Sequence, residues 1–145
     1  MSSSLYSLDS EIVVTYVKYS IYYNYKSNDF ILTFKIMFEF APSSATGLHI
    51  TLNTSTLEAG NIGSFKESFE DHCPSELDEV TVDMSQVQMI DSSGIGALLG
   101  IQKRLSDGKV RLQRVNATVL SVIELLRLHQ VFDLEVNANA ASEAS

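Results

Sequence analysis

The chain has 145 residues, of which 45% are hydrophobic and 19% are charged. This length and composition are typical of a single globular domain with an apolar core. Ten Lys and Arg residues stand against 18 Asp and Glu residues, so that the net charge is −8 at pH 7. The acidic balance argues against direct binding of nucleic acid, which needs a basic surface, and favours a protein partner with a basic docking surface.

Cysteine, histidine and hydropathy patterns exclude several further classes. Cys73 is the single cysteine, so an internal disulfide is impossible and a reducing compartment is expected. The histidines at positions 49, 72 and 129 have no spacing that suits a metal site, and we expect neither a metal nor a cofactor. No run reaches the roughly 18 apolar residues of a membrane span, and no signal peptide is evident. These patterns predict a cytoplasmic protein that does not bind membranes.

The first 29 residues differ from the rest in composition, because all six tyrosines lie between Tyr6 and Tyr25. Two β-branched and aromatic runs, Ile12–Tyr25 and Phe30–Phe40, flank a polar turn and predict a hairpin. We expect residues 1–29 to be an N-terminal extension, and the sequence leaves open whether they belong to the functional protein. The main domain is expected at residues 30–140, with a flexible tail at 141–145.

From residue 35 onward, strand patterns alternate with helix patterns. The predicted strands are Lys35–Ala41, Gly47–Leu52, Glu79–Met84, Lys109–Val115 and Phe132–Val136. The predicted helices begin after a cap at Asn61, at the Ser92-Ser93 junction and after a cap at Asn116. This order predicts an α/β fold, with a mixed and mostly parallel β-sheet, an antiparallel N-terminal hairpin and flanking α-helices.

The segment Ile90–Gly100, read as I-D-S-S-G-I-G-A-L-L-G, joins a strand to a helix. Hydroxyl side chains at such a junction commonly accept hydrogen bonds from the free backbone N–H groups of the helix. Ser92 and Ser93 are therefore either helix caps or a displayed chemical acceptor. The glycines that follow are explained by a tight turn and close packing of the helix on the sheet.

A hydrolase is disfavoured at this junction. The nucleophile elbow has glycines two residues before and two residues after its serine. Neither Ser92 nor Ser93 has the first of these glycines. His129 and Asp133 also follow in the order opposite to that of an α/β-hydrolase.

A dinucleotide site is disfavoured for a similar reason. Gly94 and Gly96 have the spacing of the phosphate-binding turn, but the third glycine, Gly100, comes one position too late. Arg114 stands where an acidic residue would bind the ribose.

Residues 80–100, together with Leu57-Glu58-Ala59-Gly60-Asn61 and the pattern from Val110 to Val136, resemble the STAS domain of bacterial anti-sigma factor antagonists. The resemblance implies the STAS fold and places the phosphorylation site at Ser92. It also implies a partner-binding surface formed by Glu58, Asp91, Ser92, Ser93, Gly94 and Ile95. Glu58 stands where many members of the family carry an aspartate.

The resemblance further implies the mechanism of a partner switch. An unphosphorylated antagonist binds an anti-sigma factor that is also a serine kinase, and this frees a sigma factor for transcription. Phosphorylation of the serine dissociates the complex, and a serine phosphatase restores the first state. The expected protein is thus a phosphoprotein of signal transduction, without catalysis of its own, and a monomer or weak dimer.

STAS domains also serve as structural subunits of signalling scaffolds and lipid-transport complexes. In such a subunit the serine junction would be an interface without a phosphorylation switch. The hydroxyl that directly follows Asp91 favours the switch over this alternative.

Overall fold

The computed structural model describes the backbone at residues 3–8, 11–16, 20–24, 26–33 and 37–137, and the side chains at 26–28 and 37–137. The chain divides into two compact units, Met1–Phe38 and Glu39–Ser145. The tail predicted at residues 141–145 lies outside the described residues, which end at residue 137.

The first unit contains a four-stranded antiparallel sheet in which each strand pairs with the next along the chain. Its strands are β1 (Ser3–Leu8), β2 (Glu11–Tyr16), β3 (Ser20–Asn24) and β4 (Asp29–Thr33). The predicted hairpin is present as the β3–β4 pair, with Asn24 opposite Asp29. The two compact units divide after Phe38, and the expected domain boundary at residues 29 and 30 stays a prediction. Whether the first unit belongs to the functional protein stays a prediction.

The second unit contains seven strands, which form one large sheet and one small sheet. The strands are β5 (Phe38–Pro42), β6 (Gly47–Leu52), β7 (Thr56–Leu57), β8 (Glu79–Asp83), β9 (Met89–Ile90), β10 (Arg111–Val115) and β11 (Asp133–Val136). The large sheet has the order β11-β10-β8-β6-β5, and its β6–β8, β8–β10 and β10–β11 pairs are parallel. Only residues 43–46 join β5 to β6, and a loop this short makes that pair antiparallel. The predicted mixed sheet is therefore confirmed.

Three α-helices connect the strands of the second unit. They are α1 (Ile62–His72), α2 (Ser92–Arg104) and α3 (Ala117–Leu125), and a 3-10 turn at Leu128–Gln130 follows α3. The core lies between the sheet and these helices and includes Ile50, Val82, Phe65, Leu98 and Ile123, none more than 1% exposed. In the described part of the chain, no helix has both the length and the apolar character needed to cross a membrane.

The two asparagines predicted as helix caps behave differently. The Asn116 side chain caps α3, because its Oδ1 accepts a hydrogen bond from the Val119 N–H at 2.9 Å. Asn61 precedes α1 as predicted, but its side chain does not cap the helix. Instead its Oδ1 accepts from the Glu58 N–H at 3.0 Å, and its Nδ2 donates to the Thr56 carbonyl at 2.7 Å. Asn61 therefore stabilises the turn between β7 and α1.

Candidate functional site

The small parallel sheet brings together two segments that are more than 30 residues apart in sequence. Thr56 of β7 pairs with Met89 of β9, and Leu57 pairs with Ile90. The Leu57 carbonyl also accepts a hydrogen bond from the Asp91 N–H at 3.3 Å. Sequence analysis did not predict these strands, because two residues are too few to show an alternating pattern. The pairing places the turn after β7 against the beginning of α2.

Asp91 caps α2 and also binds the neighbouring turn. Its Oδ1 accepts from the Gly94 N–H at 3.0 Å, and its Oδ2 accepts from the Ala59 N–H at 3.2 Å. The hydrogen bond from Gly94 is the largest effect and lowers the pKa of the Asp91 carboxyl. Desolvation opposes it, and the hydrogen bond from Ala59 lowers the pKa further. Asp91 is therefore ionised at neutral pH. Of the two interpretations of the serines, the one as helix caps is wrong, because the Asp91 side chain occupies the cap position.

Ser92 and Ser93 are the first two residues of α2. Ser92 is exposed and Ser93 is half-buried. Within the described residues, neither hydroxyl takes part in a hydrogen bond, since Asp91 already serves as the cap. The Ser92 hydroxyl is consequently accessible to a second protein without any change at the helix cap.

Gly94 allows α2 to approach the small sheet closely. A Cβ atom on Gly94 would lie 2.4 Å from the Leu57 carbonyl oxygen and 2.7 Å from the Ile90 side chain. The expectation of close packing is thus confirmed for Gly94. It was wrong for Gly96 and Gly100, where a Cβ atom would meet nothing within 4 Å, because both glycines lie on the solvent-exposed side of α2.

The sequence profile of the STAS domain matches residues 48–141, a range that contains every predicted site residue. This chain belongs to the STAS domain family. No curated protein sequence matches this chain.

Solved structures with the same fold include three bacterial proteins. Two are described as anti-sigma factor antagonists, and the third is described as a cell fate determinant. A protein described as a putative anti-sigma factor antagonist, from Thermotoga maritima, is 22% identical, with a TM-score of 0.55 over 74% of this chain and 92% of that one. An antagonist (STAS) domain protein from Planctomyces limnophilus is 18% identical, with a TM-score of 0.60 over 74% and 95%. The Bacillus cell fate determinant SpoIIAA, solved in its phosphorylated form, is 16% identical, with a TM-score of 0.50 over 74% and 99%. The α/β architecture of this domain is therefore the STAS fold.

The six residues predicted to bind a partner in this STAS domain differ in exposure. Glu58, Asp91 and Ser92 are exposed, and Ser93 is half-buried. Gly94 and Ile95 are buried, and Ile95 is only 6% exposed. The four accessible residues lie in the turn after β7 and at the start of α2, two segments that the hydrogen bond from the Ala59 N–H to Asp91 joins. Of the two buried residues, Gly94 contacts the site directly, because its N–H donates to Asp91 Oδ1.

Two features of this site were missed by sequence reasoning. The Ala59 N–H donates a hydrogen bond to the Asp91 carboxylate. Every residue except proline has such a backbone donor, so the sequence could not single this one out. Met89 is 64% exposed and lies two residues before Asp91. The sequence analysis did not predict strand β9, so it could not place this side chain at the surface.

The structure offers no support for the hydrolase and dinucleotide alternatives. His129 belongs to the 3-10 turn, and Asp133, which begins β11, forms an ion pair with Arg111. Arg114 forms an ion pair with Asp83, so it is engaged within the sheet. Within the described residues, no three His, Cys, Asp or Glu side chains gather as a metal site would require.

Proposed function

We propose that this STAS domain is an anti-sigma factor antagonist, and that phosphorylation of Ser92 controls its binding to an anti-sigma factor serine kinase. The observation that carries the proposal is the position of Ser92. Its hydroxyl is exposed, makes no hydrogen bond to another described residue and directly follows the capping carboxylate of Asp91. Such a hydroxyl can accept a phosphoryl group without loss of any native interaction.

The charge of a phosphate at this place explains partner release. Phosphorylation adds about −1.5 to −2 charge and three acceptor oxygens. Within the domain the N-terminus of α2 tolerates this charge, because the free N–H groups carry a partial positive charge. A partner surface shaped to receive a neutral hydroxyl at Ser92 lacks the space and the hydrogen-bond donors for a phosphate, so burial of the phosphate there would weaken binding. The switch therefore acts through the surface, and the fold stays as it is.

The relatives support this interpretation. One of the similar solved structures is the anti-sigma factor antagonist SpoIIAA in its unphosphorylated form, and another is SpoIIAA in its phosphorylated form. In the proposal, the unphosphorylated domain binds the kinase and frees a sigma factor. A serine phosphatase then removes the phosphate from Ser92. The domain works in the cytoplasm as a monomer or weak dimer, binds neither nucleic acid nor membranes, and needs no cofactor or catalysis of its own.

The test is a binding titration of the cognate kinase with Ser92 variants, alongside phosphate incorporation. Ser92→Ala should bind the kinase and resist phosphorylation. Ser92→Asp should bind more weakly by about 2–5 kcal/mol, or one to three decades in Kd or slightly more. Ser93→Ala should still switch.

Ser106→Asp is the matched control, because Ser106 is an exposed serine in the loop that follows the other end of α2. This variant adds the same charge away from Asp91 and should bind as the unchanged protein does. Equal affinity for Ser92→Ala and Ser92→Asp, with phosphate found elsewhere by mass spectrometry, would refute the switch. The structural-subunit alternative would then remain.

A further inference from the structure

A groove of about 420 Å³ lies between α1 and α2. Its floor is formed by Phe65 and Phe69 of α1 and by Ala97 and Ile101 of α2, each at most 5% exposed. Sites for small molecules commonly have volumes of about 300–1,000 Å³ and a mostly apolar lining. The groove therefore has the size and the chemistry of a site for a small apolar molecule.

Two glycines keep this groove open. Gly96 and Gly100 line it from α2, and both are exposed. They lie four residues apart and therefore on one face of the helix. A Cβ atom at either position would meet nothing within 4 Å, so the packing of α2 does not require glycine there. Larger side chains at these positions would occupy the space above the apolar floor.

The charged residues at the rim determine which molecule fits. Arg104 is already engaged, because its Nη1 lies 2.6 Å from Glu70 Oε1 and its guanidinium lies over the Phe69 ring at 5.9 Å. Lys66 also lines the groove and is exposed, and it forms no ion pair with any described residue. The rim therefore carries a net positive charge, on a protein whose net charge is −8. This local charge favours a molecule with a single anionic group.

We propose that the α1–α2 groove binds a soluble amphiphile with an apolar body and one carboxylate, such as an aliphatic monocarboxylate. The apolar body lies in the groove above Gly96 and Gly100, and the carboxylate lies at the Lys66 ammonium. Burial of the apolar body of the ligand drives binding, and the Lys66 ammonium favours a charged carboxylate end. This site is separate from the Ser92 surface and does not rest on the phosphorylation switch.

The test is an NMR titration of the full chain with decanoate, and 1-decanol serves as the uncharged comparison. The amide resonances of Gly96, Gly100 and Phe69 should shift together and saturate. Decanol should bind about two- to fivefold more weakly than decanoate, which is the effect of one exposed charge pair. Lys66→Met should abolish this preference for decanoate. Lys103→Met should keep it, because Lys103 is an exposed cation of α2 that does not line the groove.

Filling the groove should remove binding. Gly100→Leu and Gly96→Leu should each weaken decanoate binding by about tenfold or more, since the added side chain occupies the volume that the ligand needs. Gly63→Leu is the matched control, because Gly63 is also exposed and helical with open space around it, but lies outside the groove. Thermal unfolding should show that all three variants fold.

Several results would overturn the proposal. One is the absence of saturable amide shifts with decanoate, and another is that these shifts centre on the exposed Leu125 and Leu126 of α3. The other two are unchanged decanoate affinity in folded Gly96→Leu and Gly100→Leu, and an equal loss of affinity in Gly63→Leu. Equal binding of decanoate and decanol by the unchanged protein would overturn the assignment of the carboxylate to Lys66.

Discussion

At the scale of single residues, Asp91 joins two parts of the site with one carboxylate. One oxygen caps α2 through Gly94, and the other holds the turn after β7 through Ala59. Removal of this side chain therefore affects both the helix and the loop that carries Glu58. Ser92 has no such structural role, because its exposed hydroxyl makes no hydrogen bond to another described residue.

Asp91→Ala should lower the free energy of unfolding by about 1–2 kcal/mol, which is typical for loss of an N-cap. Ser92→Ala should change it by less than about 0.5 kcal/mol, because an exposed side chain without partners is removed. Urea denaturation of both variants measures the difference. An equal loss in the two variants would mean that the serine hydroxyl contributes to the cap.

Gly94→Ala and Gly96→Ala should change stability in opposite directions. The methyl group at position 94 would collide with the Leu57 carbonyl, so a loss of about 1–3 kcal/mol is expected. The methyl group at position 96 meets open space, and alanine favours the helix by about 1 kcal/mol over glycine. Thermal and urea unfolding of the two variants provide the comparison. A stabilised Gly94→Ala variant would contradict the close approach of α2 to β7.

At the scale of elements, the turn between β7 and α1 determines where Glu58 lies. Asn61 closes this turn with one hydrogen bond from the Glu58 N–H and one to the Thr56 carbonyl. The small β7–β9 sheet then holds the turn beside the start of α2. The geometry of the candidate site thus depends on Asn61, a residue that is not among those proposed to bind another protein.

Asn61→Ala should loosen this turn while α1 itself stays formed. Hydrogen exchange at the Glu58 amide should become at least several-fold faster, since its acceptor is lost. Exchange in the middle of α1 should change little, because the Asn61 side chain does not cap that helix. Amide exchange measured by NMR separates the two regions. Faster exchange throughout α1 would show that Asn61 acts as a helix cap after all.

At the scale of the whole molecule, the buried Asp83 makes the stability depend on pH. Desolvation raises the pKa of Asp83, but hydrogen bonds from the backbone and hydroxyl of Ser85 and from Arg114 together outweigh it and hold the pKa below its ordinary value. The unfolded chain therefore takes up this proton at a higher pH than the folded chain does. The stability from Asp83 is present above about pH 4 and is lost as the pH falls through the folded pKa.

Asp83→Asn should accordingly flatten the decline in stability between about pH 5 and pH 3. It should also cost about 1–3 kcal/mol at pH 7, because the Arg114 guanidinium loses its charged partner. Some decline should remain, since Asp91 also has a lowered pKa. Urea denaturation at several pH values measures the slope, and an identical slope in the two proteins would exclude Asp83 as its source.

A shortened chain that begins at Met37 should fold by itself. It keeps all five strands of the large sheet and the three helices, and the core residues from Leu48 to Phe132 lie within it. Its thermal unfolding should be cooperative, with a midpoint near that of the full chain. Loss of cooperative unfolding would show that residues 1–36 contribute to the core.

The local sequence determined most of the elements of the second unit. The sequence predicted the strands β6 and β8 from their alternating residues. It also predicted the cap at Asn116 and the helix α2 from its apolar spacing. These patterns arise from contacts between residues that are near one another in sequence, together with burial of one face. They were sufficient to predict the α/β architecture and to place Ser92 at a strand-to-helix junction.

Only the tertiary structure decided how the site is assembled. The two-residue strands β7 and β9 have no periodic pattern, and the hydrogen bond from Ala59 to Asp91 joins residues 32 positions apart. Asn61 is a residue type that commonly caps helices, but its side-chain amide binds the carbonyl of Thr56 and the N–H of Glu58 instead. The exposure of Gly96 and Gly100 likewise depends on where α1 packs against α2. Contacts over long sequence separations and the competition among hydrogen-bond partners depend on the folded arrangement, and for this reason a local pattern could not reveal them.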